Sequence, residues 1–189
     1  MTVGLHRASY LTKGERMPAA QPVSKAEQDA LFVELYNEFH QPIFGYLFRL
    51  LRDREGAEDA VQETFIKAYR ALPRLDGDAN YRAWLYRIAT NTAYDRLRRQ
   101  RLLSWLPLLD DGDDPALRYD HDDGCETSVQ VQQTLDQLPV RYRAPLLLYC
   151  VDGLSTAEIA RVLGITRSGV KMRLARARRM FIEAHGRGE

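Results

Sequence analysis

Between residues 153 and 181 the chain reads GLSTAEIARVLGITRSGVKMRLARARRMF, and its cations are spaced for contact with phosphate. Arg167, Lys171, Arg173 and Arg176 can each make a charge-assisted bond to a phosphate oxygen. The small or flexible residues among them, Ser168, Met172 and Ala175, leave room for base edges. From Ser155 onward eight cations stand against three acids, a net +5 on a chain whose total is +1. The chemistry on offer is recognition of nucleic acid.

Two helices around a tight corner would position these groups. Ser155 followed three residues later by Glu158 is a capping box, in which hydroxyl and carboxylate satisfy each other's free amides. Ile159, Ala160 and Leu163 fall at helical spacing, and Gly164 supplies the left-handed residue that ends the helix. Ile165 and Thr166 turn the corner, and Thr166 or Ser168 caps a second helix. Along it Val170, Leu174, Ala177 and Phe181 form one buried stripe, with Ser168, Met172, Ala175 and Arg179 opposite and Lys171 and Arg176 on the flanks. This pattern is a helix-turn-helix. Its bland counterpart is an amphipathic hairpin that packs on another domain and keeps a solvated basic face.

A second basic stretch runs from Tyr81 to Arg101 and is expected to be a helix. Six arginines (82, 87, 96, 98, 99 and 101) stand against Asp95, with Tyr81, Trp84, Tyr86 and Tyr94 interleaved. Cations follow the phosphates of a single strand and rings stack on its unpaired bases. Rings in a helical bundle also serve as core, the expected place of Trp84; Tyr81 and Tyr86 fit either role. Ahead of it, a helix capped by Asp53 should bury Ala57, Val61, Phe65, Ala68 and Leu72. Its exposed side carries Glu55, Glu58, Asp59, Gln62 and Glu63 first, then Lys67 and Arg70. Acids first and bases last suit the helix macrodipole, and the carboxylates could equally dock a basic partner. No histidine or nucleophile accompanies them, which argues against acid–base catalysis.

Around these pieces the chain divides readily. Composition is that of a globular protein long enough for two small helical domains. Cys125 and Cys150 lack metal-ligand spacing and give no disulfide framework, so free thiols in a reducing cytosol are expected. No apolar run reaches transmembrane length, and the first residues lack the apolar stretch of a signal peptide. Residues 1–24 read as a mobile arm; Met17 lies inside it, and a product starting there would keep every folded element. Leu31, Phe32, Leu35, Tyr36 and Phe39 give a first helix, broken near His40 to Pro42, where His40 is a helix-end or surface histidine. Ile43 to Leu51 then form a second helix, with Pro42 in its first turn. Pro73 ends the acidic helix, and RLDGDAN at 74–80 is a loop.

Residues 102–126 open apolar and turn acidic, with eight acids against Arg118 for a net −7, and read as a linker. That charge either keeps the segment solvated, mimics nucleic acid in a basic channel, or shields the arginine-rich faces. The second unit begins near Thr127, with Val131, Leu135 and Leu138 on one face and Pro139 at a break. Val140 to Val151 is an apolar helix whose Pro145 suggests a start as late as Tyr142.

Three stretches in this order resemble the extracytoplasmic-function (ECF) group of bacterial sigma factors: EGAEDAVQETFIKAYRAL at 55–72, YRAWLYRIATNTAYDRLRR at 81–99, and LPVRYRAPLLLYCVDGLSTAEIARVLGITRSGVKMRLARAR at 138–178. The resemblance covers roughly residues 25–184. It implies an all-α protein of two small helical domains, a four-helix region 2 at 25–101 and a helix-turn-helix region 4 at 127–185, joined by the acidic linker. It implies partners: core RNA polymerase, through its β′ clamp coiled coil and β flap, promoter DNA, and a dedicated anti-sigma factor. No cofactor, metal, enzymatic activity or small-molecule substrate is implied, and the place is the cytoplasm.

Carried onto this sequence, the resemblance gives polymerase contact to Glu58, Asp59, Gln62, Glu63 and Phe65. The loop Leu75, Asp76, Gly77, Asp78, Ala79 and Asn80, with Asn91, would capture a base flipped from the −10 element. Arg82, Arg87, Arg96, Arg98 and Arg99 would hold the separated strand. Arg167, Ser168, Lys171, Met172, Arg173 and Arg176 would read the −35 element. The chain departs from the family pattern at Pro145 and in the leucine-rich start of the linker. A stand-alone helix-turn-helix regulator is the competing account; it needs a dimer interface, for which the sequence offers no spare apolar helix. A nucleic-acid enzyme would need a metal cluster or a nucleophile–base pair, and neither is visible.

Overall fold

The computed structural model describes residues 24–75, 79–103 and 126–185, with backbone alone for 101–103 and 126–129. Residues 1–23 of the expected arm at 1–24, the loop centre Asp76, Gly77 and Asp78, and nearly all of the linker with Cys125 lie outside the described residues; Ser24, the arm's last residue, is the N-cap of the first helix. The described chain forms seven α-helices and one short 3-10 turn, with no strand: α1 Lys25–Leu51, α2 Arg54–Ala71, the 3-10 turn Leu72–Arg74, α3 Tyr81–Leu103, α4 Glu126–Asp136, α5 Val140–Cys150, α6 Thr156–Leu163 and α7 Arg167–His185.

The first unit is a three-helix bundle rather than four helices, because α1 runs through His40 and Pro42 without a break. Pro42 withholds one amide from the ladder. Around it Leu35, Phe39, Ile43, Tyr46, Leu47 and Leu50 keep a single helical register and are all buried against α2 and α3. Packing of that stripe outweighs one missing bond. His40 consequently sits in mid-helix, tilted against the Tyr36 ring at 4.8 Å and stacked on Phe65 at 6.0 Å. Ser24 and Glu27 close a capping box at the start of α1, and Arg52 ends it in the left-handed region at φ 66°.

The stripe Ala57, Val61, Phe65, Ala68 and Leu72 of α2 is buried as its spacing predicts. Asp53 is the N-cap by backbone geometry but makes no side-chain cap bond. Its carboxylate instead lies over Gly56, where an added Cβ would come within 2.3 Å of it. An alanine there would displace only the end of that exposed carboxylate, which makes no cap bond to lose.

In the second unit α5 starts at Val140, not at Tyr142, with Pro139 as its N-cap and Pro145 inside the helix. The amides of Tyr142 and Arg143 already bond to the Pro139 carbonyl, so the first turn closes ahead of Pro145. Pro145 cannot donate to the Arg141 carbonyl, but Arg141 is exposed and water can serve it. Arg143, Ala144, Pro145, Leu146, Leu147 and Leu148 are all buried. The helix is held by what it packs on.

The helix-turn-helix forms as its residues predict. Ser155 and Glu158 make the reciprocal capping box, Gly164 caps α6 at φ 63°, and the Thr166 hydroxyl accepts from the Gly169 amide at 3.1 Å to start α7. Val170, Leu174 and Ala177 are buried and Phe181 is half-buried. The two units pack on each other, α6 against α3 and α5 against α1. Among the described residues no helix is long and apolar enough to cross a membrane.

Candidate nucleic-acid and polymerase interfaces

Three surfaces carry the residues singled out in the sequence. The first is the outer face of α7. Arg167, Ser168, Lys171 and Arg176 are exposed, and Met172 is 68% exposed. They project from a helix whose opposite side is pinned in the core, so the face is presented rigidly. Arg173 differs: it is half-buried. Burial raises the Tyr94 phenol of α3, and the Arg173 charge offsets part of that rise.

The second surface is on α2. Glu58, Asp59 and Gln62 are exposed and Glu63 is half-exposed. Each acid has a local partner: Glu58 pairs with Arg54 at 3.1 Å, Glu63 with Lys67 at 2.8 Å, and Asp59 with Arg96 of α3 at 2.7 Å. These pairs lie at the surface, where screening leaves each worth little, about 0–1 kcal/mol. A docking partner could displace them cheaply. Phe65 is only 4% exposed, so it contributes as the floor of a groove rather than as a projecting side chain. Phe32, Tyr36, Ile66 and Tyr69 complete that groove, with the Phe32 and Tyr69 rings edge-on at 5.0 Å. Ile66 is 51% exposed. Sequence reasoning passed over it, although an isoleucine off the 57–61–65–68–72 stripe was itself a signal.

The third surface is the start of α3. Asn80 is its N-cap: the side-chain oxygen accepts from the Ala83 amide at 2.9 Å and the backbone carbonyl from the Trp84 amide at 3.0 Å. Leu75 and Ala79 beside it are half-buried; Arg87, Asn91, Arg98 and Arg99 are exposed. Arg98 is paired with Asp95 at 3.0 Å, and Arg96 is held by Asp59. Trp84 is partly buried against the core, as expected, and so is Tyr81. Tyr86, left open between core and strand contact, is core, 1% exposed and edge-on to Tyr46 at 5.5 Å.

Asn80 and Arg82 also meet the second unit. The Asn80 amide donates to Glu158 Oε1 at 2.8 Å, the Arg82 guanidinium donates to the Asp152 carbonyl, and the Tyr86 hydroxyl donates to Asp152 Oδ1 at 2.7 Å. Burial pushes the Asp152 carboxyl up, against the Tyr86 bond and the Arg49 and Arg82 charges. Burial first, then the bond to Asp152, likewise raises the Tyr86 phenol. Nothing local in the sequence marked Asp152, since its partners lie 66 and 70 residues away.

The Sigma-70 region 2 family model matches residues 35–102, and the Sigma-70 region 4 model matches residues 128–181. The ECF RNA polymerase sigma factor SigW of Bacillus subtilis is 34% identical over 170 residues, covering 82% of this chain and 89% of the relative. The RNA polymerase sigma-H factor of Pseudomonas aeruginosa is 33% identical over 188 residues, covering 92% and 95%. Among solved structures, CnrH in complex with the cytosolic domain of CnrY superposes with a TM-score of 0.61 at 27% identity, covering 82% of this chain and 87% of that one. RpoE of Bartonella quintana, in complex with the anti-sigma factor NepR, gives 0.66 at 22% identity over 81% and 95%, a likeness of fold. Matches to both family models, and identity of this level over nearly whole chains, establish that this chain belongs to the ECF group of RNA polymerase sigma factors.

Proposed function

We propose that residues 25–101 bind core RNA polymerase and the −10 element, residues 127–185 read the −35 element, and residues 102–126 link them. The observation that carries this reading is the α7 face, with Arg167, Ser168, Lys171, Met172 and Arg176 exposed on a helix fixed by its buried stripe. A helix so presented fits a major groove, with cations on the phosphates and a few side chains on base edges.

Polymerase contact is assigned to the α2 surface, Glu58, Asp59, Gln62 and Glu63 above the Phe65 groove, against the β′ clamp coiled coil; region 4 would meet the β flap. The 75–80 loop and Asn91 capture an unpaired −10 base, while Arg82, Arg87, Arg96, Arg98 and Arg99 hold the strand. The protein acts by binding, without a covalent step: capture of flipped bases shifts the closed–open equilibrium of the promoter. Its place is the cytoplasm, with polymerase and DNA. A protein inhibitor of anti-sigma type is also proposed, because the similar RpoE is seen bound to the anti-sigma factor NepR, and CnrH is likewise seen in complex with a second protein, the cytosolic domain of CnrY.

The test mixes the chain with core RNA polymerase and repeats the mixing with Glu58, Asp59 and Glu63 changed together to Ala. A stable complex that weakens in the triple variant is expected. Failure of the native chain to bind polymerase, alongside tight binding of the chain alone to duplex DNA, would favour a stand-alone regulator.

A further inference from the structure

Ser168, Met172 and Ala175 run along the outward midline of α7, with Lys171 and Arg176 on its flanks, and all five are exposed. Arg179 continues the midline but pairs with Glu183 at 4.0 Å. With the flanking cations on phosphates, the first three side chains are what remains for the floor of a major groove. Their chemistry is narrow. From Arg167 to Arg179 the helix carries no Asn, Gln, Asp or Glu. It therefore lacks both the amide that pairs with adenine and the carboxylate that accepts from cytosine. Ser168 brings one hydroxyl, whereas Met172 and Ala175 bring a thioether and hydrocarbon. Met172 is 68% exposed, while Met180 of the same helix is partly buried against the core.

Hydrocarbon on a groove floor discriminates between bases in two ways. Against the C5 methyl of thymine it takes two apolar surfaces out of water. Against the amine of cytosine or adenine it strips water from a donor and offers no acceptor in return. Met172 and Ala175 stand three residues apart, about 4.5 Å along the helix axis, against roughly 3.4 Å between successive base pairs. They meet neighbouring pairs rather than one. We propose that Met172 and Ala175 are thymine readers: each packs on a C5 methyl, so the −35 element of this chain contains two adjacent A·T pairs recognised through their thymines. Ala175 thereby joins Met172 in setting specificity, although its side chain makes no hydrogen bond. The inference rests on the placing of α7 at the −35 element.

The test selects randomised promoter-length duplexes on holoenzyme and then replaces the thymines of the recovered −35 block by uracil, one at a time. Uracil lacks the methyl and keeps every hydrogen-bonding group of the pair. At two adjacent positions it should weaken holoenzyme binding by about fourfold each. One of those penalties should vanish in Met172→Gln, which keeps the length of the side chain, and the other in Ala175→Gly. Each thymine-to-uracil ratio is taken within one variant, so a loss of helix stability cancels. A −35 block without adjacent A·T pairs overturns the thymine reading. So does uracil without effect on the native chain, or a pair of penalties that survives both substitutions. The placing of α7 is read separately, with Arg167 and Lys171 changed together to Glu. Loss of the −35 block from the selection sustains that placing, and its persistence removes it.

Discussion

Inside the first unit one buried hydroxyl pair joins α1 to α3. The Tyr46 hydroxyl lies 2.9 Å from Thr90 Oγ1, and Thr90 in turn donates to the Tyr86 carbonyl at 2.7 Å. Thr90 has one proton, so with that proton on the carbonyl, Tyr46 is the donor between them. The direction makes the two substitutions unequal. Tyr46→Phe removes a donor and leaves Thr90 still bonded, for a loss of about 1 kcal/mol. Thr90→Val strands the Tyr46 hydroxyl in a fully buried site, for about 1–3 kcal/mol. Urea denaturation should rank Thr90→Val as the more damaging, and the reverse order would mean that the proton runs the other way. The same direction of bonding explains why Tyr86 resisted a reading from sequence. Interleaving with arginines described its neighbours along α3, while its burial depends on Tyr46 and its hydroxyl on Asp152, both distant in the chain.

Helices were legible where their signals are local and illegible where packing overrules a local signal. Ser155, Glu158, Gly164 and Thr166 act within a few residues of one another, so the caps and corner of the helix-turn-helix could be read directly. Pro42 and Pro145 could not, because the stripes that carry α1 and α5 through them take their energy from other helices. Pro42 is exposed and Pro145 buried, and the difference has a consequence. Pro42→Ala restores an amide to the α1 ladder and empties no core, against a smaller loss through unfolded-chain entropy, for a net gain of about 1–2 kcal/mol. Pro145→Ala gains a similar amide but leaves ring volume unfilled, so its net effect should be smaller. Denaturant midpoints of the two variants compare them directly.

Acid should act on α6 through its cap. The Ser155 hydroxyl and amide, and then the Asn80 amide, hold the Glu158 carboxyl below its usual 4.5. A lowered folded value means the contribution is complete above about 4.5 and is lost as pH falls through the folded value. The melting-temperature advantage of native protein over Glu158→Gln should therefore be present at pH 7 and shrink on acidification below pH 4.5. Asp152, whose shift has the opposite sign, is common to both proteins and drops out of the comparison.

Over the whole molecule, charge is separated along the chain and then partly folded back on itself. The net total of +1 conceals a +5 block from Ser155 onward, one member of which is half-buried. Arg173 is half-buried, whereas Lys171 and Arg176 face solvent on the same helix. Salt dependence of duplex binding can count which cations reach phosphate, because each contact contributes about 0.9 to the slope of log K against log salt. Lys171→Ala and Arg176→Ala should each lower that slope by about 1 in the chain alone and in holoenzyme alike. Arg173→Ala removes a half-buried cation and should lower the slope by clearly less than 1 in both settings. A full fall of about 1 would mean that Arg173 reaches phosphate as Lys171 and Arg176 do.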